Sequence, residues 1–139
     1  MNPNLPQLTQ TLRESPGILF AYLYGSHASE TPPRPDSDLD LAIYPRTALT
    51  AEQRLDLWKT LNLLTDYPID LVDLRTTTTV LAHQVISTGQ LLFTHDETLS
   101  QTYYMSTLRD YWDLNISRRE ILAQRLPTRL HPPDLPHVT

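Results

Sequence analysis

The chain has 139 residues, a formal charge of −5, 40% hydrophobic and 19% charged residues, and no cysteine. That length fits one compact core, and without Cys there is neither a disulfide framework nor a thiolate metal site, so any metal must be held by oxygen or imidazole ligands. The acidic balance argues against direct nucleic-acid binding, which depends on Lys and Arg neutralising phosphates, and no apolar run approaches the ~18 residues of a membrane span.

Residues 1–17, MNPNLPQLTQTLRESPG, lack the basic start and apolar stretch of a secretory signal, which points to a cytoplasmic protein. ILFAYLYG (18–25) is a short apolar run ending at Gly25 and reads as a buried strand. ASETPPRPDS (28–37), with Pro32, Pro33 and Pro35, reads as a loop, and DLDLAIY (38–44) as a second strand that first alternates acid with aliphatic. Thr50 followed by Gln53 is a capping-box pattern, and Leu57, Trp58, Leu61, Leu64 and Thr65 share a face at helical spacing, so a helix is placed at about 50–66, stopped by Pro68.

IDLVDL (69–74) is the third strand. A helix over about 78–88 follows, with Leu81, Val85 and Ile86 on one side and Gly89 at its end, and LLF (91–93) supplies a short fourth strand. From about 95 to 125 the pattern is helical, in one helix or two, capped by Thr94 or Asp96 and carrying Leu99, Tyr103, Leu108, Tyr111, Trp112, Ile116 and Leu122. For Tyr111 and Trp112 core packing is the preferred reading over a place in an interface. The final PTRLHPPDLPHVT (127–139), with four prolines, is expected to be a flexible tail after a domain over 1–126. This order of elements predicts an α/β (α+β) domain: a mixed sheet of about four strands with helices packed mainly on one side and a C-terminal helix.

The chemistry concentrates around the second strand. Residues two apart on a strand face the same way, with Cβ atoms about 6–7 Å apart, so Asp38 and Asp40 project together while Leu39, Leu41 and Ile43 face the core. Two carboxylates beside a buried sheet repel each other and are partly desolvated unless a cation compensates. Carboxylate oxygens suit Mg²⁺, which takes one or two protein ligands and completes its octahedron with water and substrate phosphates. Two such ions about 3.5–4 Å apart would stabilise the attacking and leaving oxygens of an in-line displacement.

A third acid would come from strand three, where Asp70 and Asp73 lie on opposite faces, and spacing does not choose between them. The acid turned away from the site is expected to be a solvated strand-end residue. Gly25-Ser26 ends a buried strand, where a glycine lets backbone amides approach phosphate oxygens that the serine hydroxyl also reaches. His27, His83, His95, His131 and His137 are scattered, without metal-binding spacing, and are read as structural or solvated. Arg34, Lys59 and Arg75 are within conceivable reach of a triphosphate but are assigned to bulk solvent.

The segment YGSHASETPPRPDSDLDLAIY resembles the signature of the polymerase-β-type nucleotidyltransferase superfamily: Gly-Ser, a spacer of about ten residues, and Asp-X-Asp entering a strand. The small size, Ala28 and the Pro35-Asp36-Ser37-Asp38 flank resemble in particular the minimal nucleotidyltransferases (MNT), antitoxins encoded beside HEPN ribonuclease toxins. The resemblance covers roughly residues 15–93. It implies that Gly25 and Ser26 bind the nucleotide and that Asp38 and Asp40 bind Mg²⁺. The third acid would be Asp70, because Ile69-Asp70-Leu71-Val72-Asp73-Leu74 matches the family context. Eleven residues separate Ser26 from Asp38 where the family usually has ten, a difference the Pro32-Pro33 loop can absorb.

The resemblance also implies a reaction: AMP passes from ATP to a tyrosine of a partner HEPN toxin, with two Mg²⁺ ions assisting, and the toxin is neutralised. Two other functions remain open from the residues. One is adenylylation of a small molecule such as an aminoglycoside, against which stands the shortness of the chain after strand four. The other is neutralisation by binding alone, against which stand three intact acids.

Overall fold

The computed structural model of the chain describes residues 3–28 and 37–125, with side chains through residue 117. The elements run α1 (Leu5–Glu14), β1 (Ile18–Tyr24), β2 (Leu39–Pro45), α2 (Ala51–Asn62), β3 (Ile69–Asp73), α3 (Thr79–Thr88), β4 (Gln90–Thr94) and α4 (Glu97–Arg125), with a 3-10 turn at Gly25–Ala28 directly after β1. The strands form one sheet in the order β3-β2-β1-β4. β1 is antiparallel to β2 and β4, whereas β2 and β3 run parallel, so the sheet is mixed as expected.

The central strand explains the layering. Ile18, Ala21 and Leu23 of β1 join one apolar cluster, and Phe20, Tyr22 and Tyr24 join another on the opposite face. A strand apolar on both faces must be covered on both. Leu8 and Leu12 of α1 and Leu61 of α2 pack over the face carrying Leu39, Leu41 and Ile43, while Val85 and Ile86 of α3 and Leu99 and Tyr103 of α4 cover the other. The helices are therefore divided between the two faces rather than gathered mainly on one. α1 was not foreseen. It forms because Leu5, Leu8 and Leu12 recur at helical spacing, and Pro6 falls in the first turn, where a missing N–H costs nothing.

The helix starts follow their caps. Thr50 Oγ1 accepts from Gln53 N at 3.1 Å while Gln53 Oε1 accepts from Thr50 N at 3.0 Å, completing the capping box of α2. Thr78 Oγ1 accepts from Leu81 N at 3.2 Å, and Asp96 Oδ1 from Leu99 N at 3.0 Å, which makes Asp96 the cap of α4. α4 is one unbroken helix. Tyr111 stacks on His83 of α3 with ring centroids 3.6 Å apart, but Trp112 is 54% exposed, against the expectation of core packing. The neighbouring position on a helix is turned by about 100°, so the contact Tyr111 makes with α3 carries Trp112 away from it.

Two side chains of α2 reach β3, which lies at an edge of the sheet. Trp58 Nε1 donates to Ile69 O at 2.8 Å and an Arg54 guanidinium nitrogen donates to Leu71 O at 2.6 Å. Arg75, assigned from the sequence to solvent, is instead bound to the protein. It donates to Pro45 O and Arg46 O, each at 2.7 Å, and its guanidinium carbon sits 4.8 Å from the centre of the Tyr44 ring. Lys59 is exposed. Arg34, the Pro32-Pro33 loop, the Leu122 side chain and the proposed 126/127 boundary with its tail lie outside the described residues. None of the described helices is long and apolar enough to cross a membrane.

Candidate active site

At the end of β1 the chain turns through Gly25, whose φ of +75° is a conformation L-residues rarely adopt. A Cβ at this position would run into Asp40 Oδ2 and lie 3.1 Å from Asp40 Cγ. Glycine is thus required twice, for its backbone and for the close approach of β1's end to the acid on β2. Ser26 follows, exposed, within the 3-10 turn. His27 tucks its ring edge-on against Tyr67, centroids 4.5 Å apart, tying this turn to the core. His83 and His95 are likewise engaged with protein groups, in keeping with a structural role.

Asp38 lies exposed just before β2, and Asp40 is half-buried within it. Leu39, Leu41 and Ile43 are fully buried on the other face, as strand alternation requires. Register then resolves what spacing could not. Asp40 is the cross-strand partner of Tyr24 on β1 and of Asp70 on β3. Asp70 is exposed, whereas Asp73 is only 5% exposed, its carboxylate accepting from Leu49 N at 3.2 Å and Arg75 N at 2.8 Å. The acid turned away from the site is thus a buried structural group and not a solvated strand-end residue.

The structure brings Gly25, Ser26, Asp38, Asp40 and Asp70 to one end of the sheet, through the end of β1, the start of β2 and the start of β3. Tyr24 belongs beside them and was not singled out from the sequence. Its signal was its position immediately before the glycine, but its pairing with Asp40 needed the antiparallel register.

Charge dominates this end. The Asp40 carboxyl is pushed up to about 6, first by burial and then by Asp70 and Asp38. The Tyr24 hydroxyl is pushed up to about 12 by burial, Asp40 and Asp70. Among the described residues the one ion pair joins Arg109 to Asp110, so no salt bridge neutralises the three acids. Their mutual repulsion is what a divalent cation relieves, and oxygen-only ligands are the set that Mg²⁺ takes. Among the described residues no three acidic or imidazole groups form a metal cage by themselves. An open set of one or two carboxylates, completed by water and substrate phosphate, is the arrangement a catalytic Mg²⁺ uses.

Comparison with known proteins agrees with this geometry. Residues 6–98 match the family described as Polymerase beta, Nucleotidyltransferase. The protein adenylyltransferase MntA of Shewanella oneidensis is 31% identical over 120 residues, covering 86% of this chain and 85% of that protein. A crystal structure of a toxin-antitoxin with AMP-PNP superposes with a TM-score of 0.72 at 29% identity, covering 91% of this chain and 99% of the other. A structure of tri-AMPylated Shewanella oneidensis HEPN toxin in complex with MNT antitoxin gives a TM-score of 0.70 at 27% identity, with 88% and 96% coverage. A glycine-containing turn after one strand, paired acids on the next and a third acid across from them are found in a chain that matches this family over most of its length: it belongs to the polymerase-β nucleotidyltransferases and, within them, to the minimal nucleotidyltransferases of the MntA type.

Proposed function

We propose that the chain is a protein adenylyltransferase that moves AMP from ATP onto a tyrosine hydroxyl of a partner HEPN toxin and thereby neutralises it. The observation that carries this is the contact between Gly25 and Asp40: the turn suited to phosphate and the acid suited to metal are packed together, with Asp70 directly across from Asp40. Similarity to a named protein adenylyltransferase and to an AMPylated toxin-antitoxin complex supports the acceptor class.

In this reading the backbone amides of the Gly25–Ala28 turn and the exposed Ser26 hydroxyl hold the nucleotide phosphates. Asp38 and Asp40, with Asp70 across from them, would hold Mg²⁺, which when bound would supply Lewis-acid stabilisation of the charge on the transferring phosphoryl group and the departing pyrophosphate. The acceptor oxygen forms its bond to the α-phosphorus as the bond from that phosphorus to the bridging oxygen breaks, the electron pair leaves with pyrophosphate, and Asp70 takes the hydroxyl proton. Tyr24, buried beside Asp40, stays protonated well above the neutral range, because burial first and then the charges of Asp40 and Asp70 disfavour its ionised form.

The experiment is incubation with labelled ATP, Mg²⁺ and the HEPN protein encoded with this chain, beside Asp38→Asn, Asp40→Asn and Asp70→Asn. Metal-dependent label on the HEPN protein that disappears in the three variants is expected. Neutralisation that persists without label, in wild type and variants alike, would mean that the chain acts by binding.

A further inference from the structure

α3 and α4 lie side by side and run in the same direction. Thr79 and Ala82 near the start of α3 line a small cavity together with Tyr103, Ser106 and Asp110 of α4, and further along His83 stacks on Tyr111. α3 then ends at the candidate active site: a Cβ on Gly89, its C-cap, would lie 3.0 Å from Leu23 O and 3.2 Å from Tyr24 Cβ, directly before the Gly25 turn. α3 stops at Thr88 whereas α4 runs on to Arg125, so about nine residues of α4, about 13 Å at the helical rise, extend past the end of α3. Trp112 and Ile116, one turn apart on the same side of α4, stand level with the last turn of α3 and are 54% and 37% exposed.

We propose that the outer face of α4 around Trp112 and Ile116 is the docking surface for the acceptor protein, holding it at a distance from the reacting atoms while its hydroxyl is delivered to the end of the sheet. The inference rests on the protein-acceptor reading above. A protein that receives AMP must cover the rim of the site that modifies it, and α4 is the element carried beyond that rim. The charged groups of the nucleotide are taken up by the Gly25 turn and the acids, which leaves an apolar patch for the other substrate. An exposed tryptophan is the residue type that interfaces bury at their centres. Asp110 and Asp113, both exposed, border the ring, so the surface that fits is an apolar pocket with basic groups at its edge. A second copy of this chain, with its formal charge of −5, would bring the same acids to the contact and fits less well.

Trp112→Asp and Ile116→Asp each place a charge in the patch without emptying the core, and Leu63→Asp, at an 87% exposed position just past the end of α2, serves as control. The readouts are the Kd of the complex with the HEPN protein, the KM and kcat for that protein from label transferred out of ATP, the affinity for AMP-PNP with Mg²⁺, and the sedimentation of the chain alone. Each patch variant is expected to raise the Kd and KM for the HEPN protein by about tenfold or more, with kcat at saturating acceptor and AMP-PNP affinity within about twofold of wild type. Leu63→Asp is expected to behave as wild type. Wild-type Kd and KM in both patch variants would overturn the docking surface while leaving the adenylyltransferase reading intact, as would a dimer of the chain alone that Trp112→Asp separates with HEPN binding unchanged. A wild-type chain that binds the HEPN protein through Trp112 and Ile116 without labelling it would overturn the transferase reading and keep the surface, and absence of both binding and label would overturn both.

Discussion

Asp40 and Asp70 face each other across the parallel pairing of β2 with β3, and no salt bridge among the described residues neutralises either. Asp40 is therefore held at about 6, above its ordinary 3.8. Between these two values the folded chain binds more protons than the unfolded one, so the stability Asp40 contributes is complete below about pH 3.8 and lost as pH rises through about 6. At pH 7 the metal-free protein carries the cost of a half-buried charge beside two others. Asp40→Asn is expected to raise its stability at pH 7 by about 1–2 kcal/mol, the full shift being discounted for the solvent that reaches this group, and to give no gain near pH 4. Urea denaturation of both proteins at the two pH values measures it, and a variant no more stable than wild type at pH 7 contradicts it.

The same electrostatics sets the metal dependence. A cation and a proton compete for Asp40, so Mg²⁺ at several times its Kd is expected to raise the melting temperature clearly at pH 7.5 and much less at pH 5. Thermal melts with and without Mg²⁺ test this, with Asp40→Asn expected to lose most of the response at both pH values.

Gly25→Ala combines a backbone penalty of about 1–2 kcal/mol for a side chain at positive φ with overlap against Asp40 Oδ2. Relief of that overlap must displace either the turn or the acid. Lower thermal stability together with a loss of AMP transfer of about a hundredfold or more is expected. Transfer at the wild-type rate would mean that the contact with Asp40 has no part in the site.

Asp70 and Asp73 separate chemistry from stability on one strand. Asp70→Asn alters an exposed side chain, so stability should stay within about 0.5 kcal/mol while transfer falls by about a hundredfold or more. Asp73→Asn weakens buried bonds to the Leu49 and Arg75 amides and should cost about 1–3 kcal/mol. Its transfer rate per folded molecule is expected to be retained. Denaturation curves paired with the labelling assay distinguish the two, and the reverse pattern would exchange their roles.

The two tryptophans should differ in the same way. Trp112→Ala is expected to change stability by no more than about 0.5 kcal/mol, because the ring is more than half exposed. Trp58→Ala removes a packed ring and the donor to Ile69 O, and should cost about 2–3 kcal/mol. Calorimetric melts of the two variants settle the comparison.

The acids, the glycine and most element starts were legible before any coordinates because each rests on local rules. Alternation separates Asp38 and Asp40 from Leu39 and Leu41, and Thr50 with Gln53 announces a helix whatever it later packs against. What was not legible depends on register or on cover. Asp70 and Asp73 are equivalent until β3 is aligned with β2. Along β1 every position is apolar or aromatic, which calls for cover on both faces without saying which helix supplies it. α1 escaped because its three leucines lie in a segment with two early prolines, and Trp112 was misplaced because periodicity does not show where α3 stops shielding α4.

The bonds that Trp58 and Arg54 make to Ile69 O and Leu71 O leave those outward carbonyls of β3 already occupied. An incoming strand from another molecule would have to break both before it could add to the sheet there. A protein acceptor is consequently steered to present a side chain and not a length of backbone at this edge, and two copies of the chain are hindered from zipping together along this border. These two side chains thus guard the protein against pairing with itself.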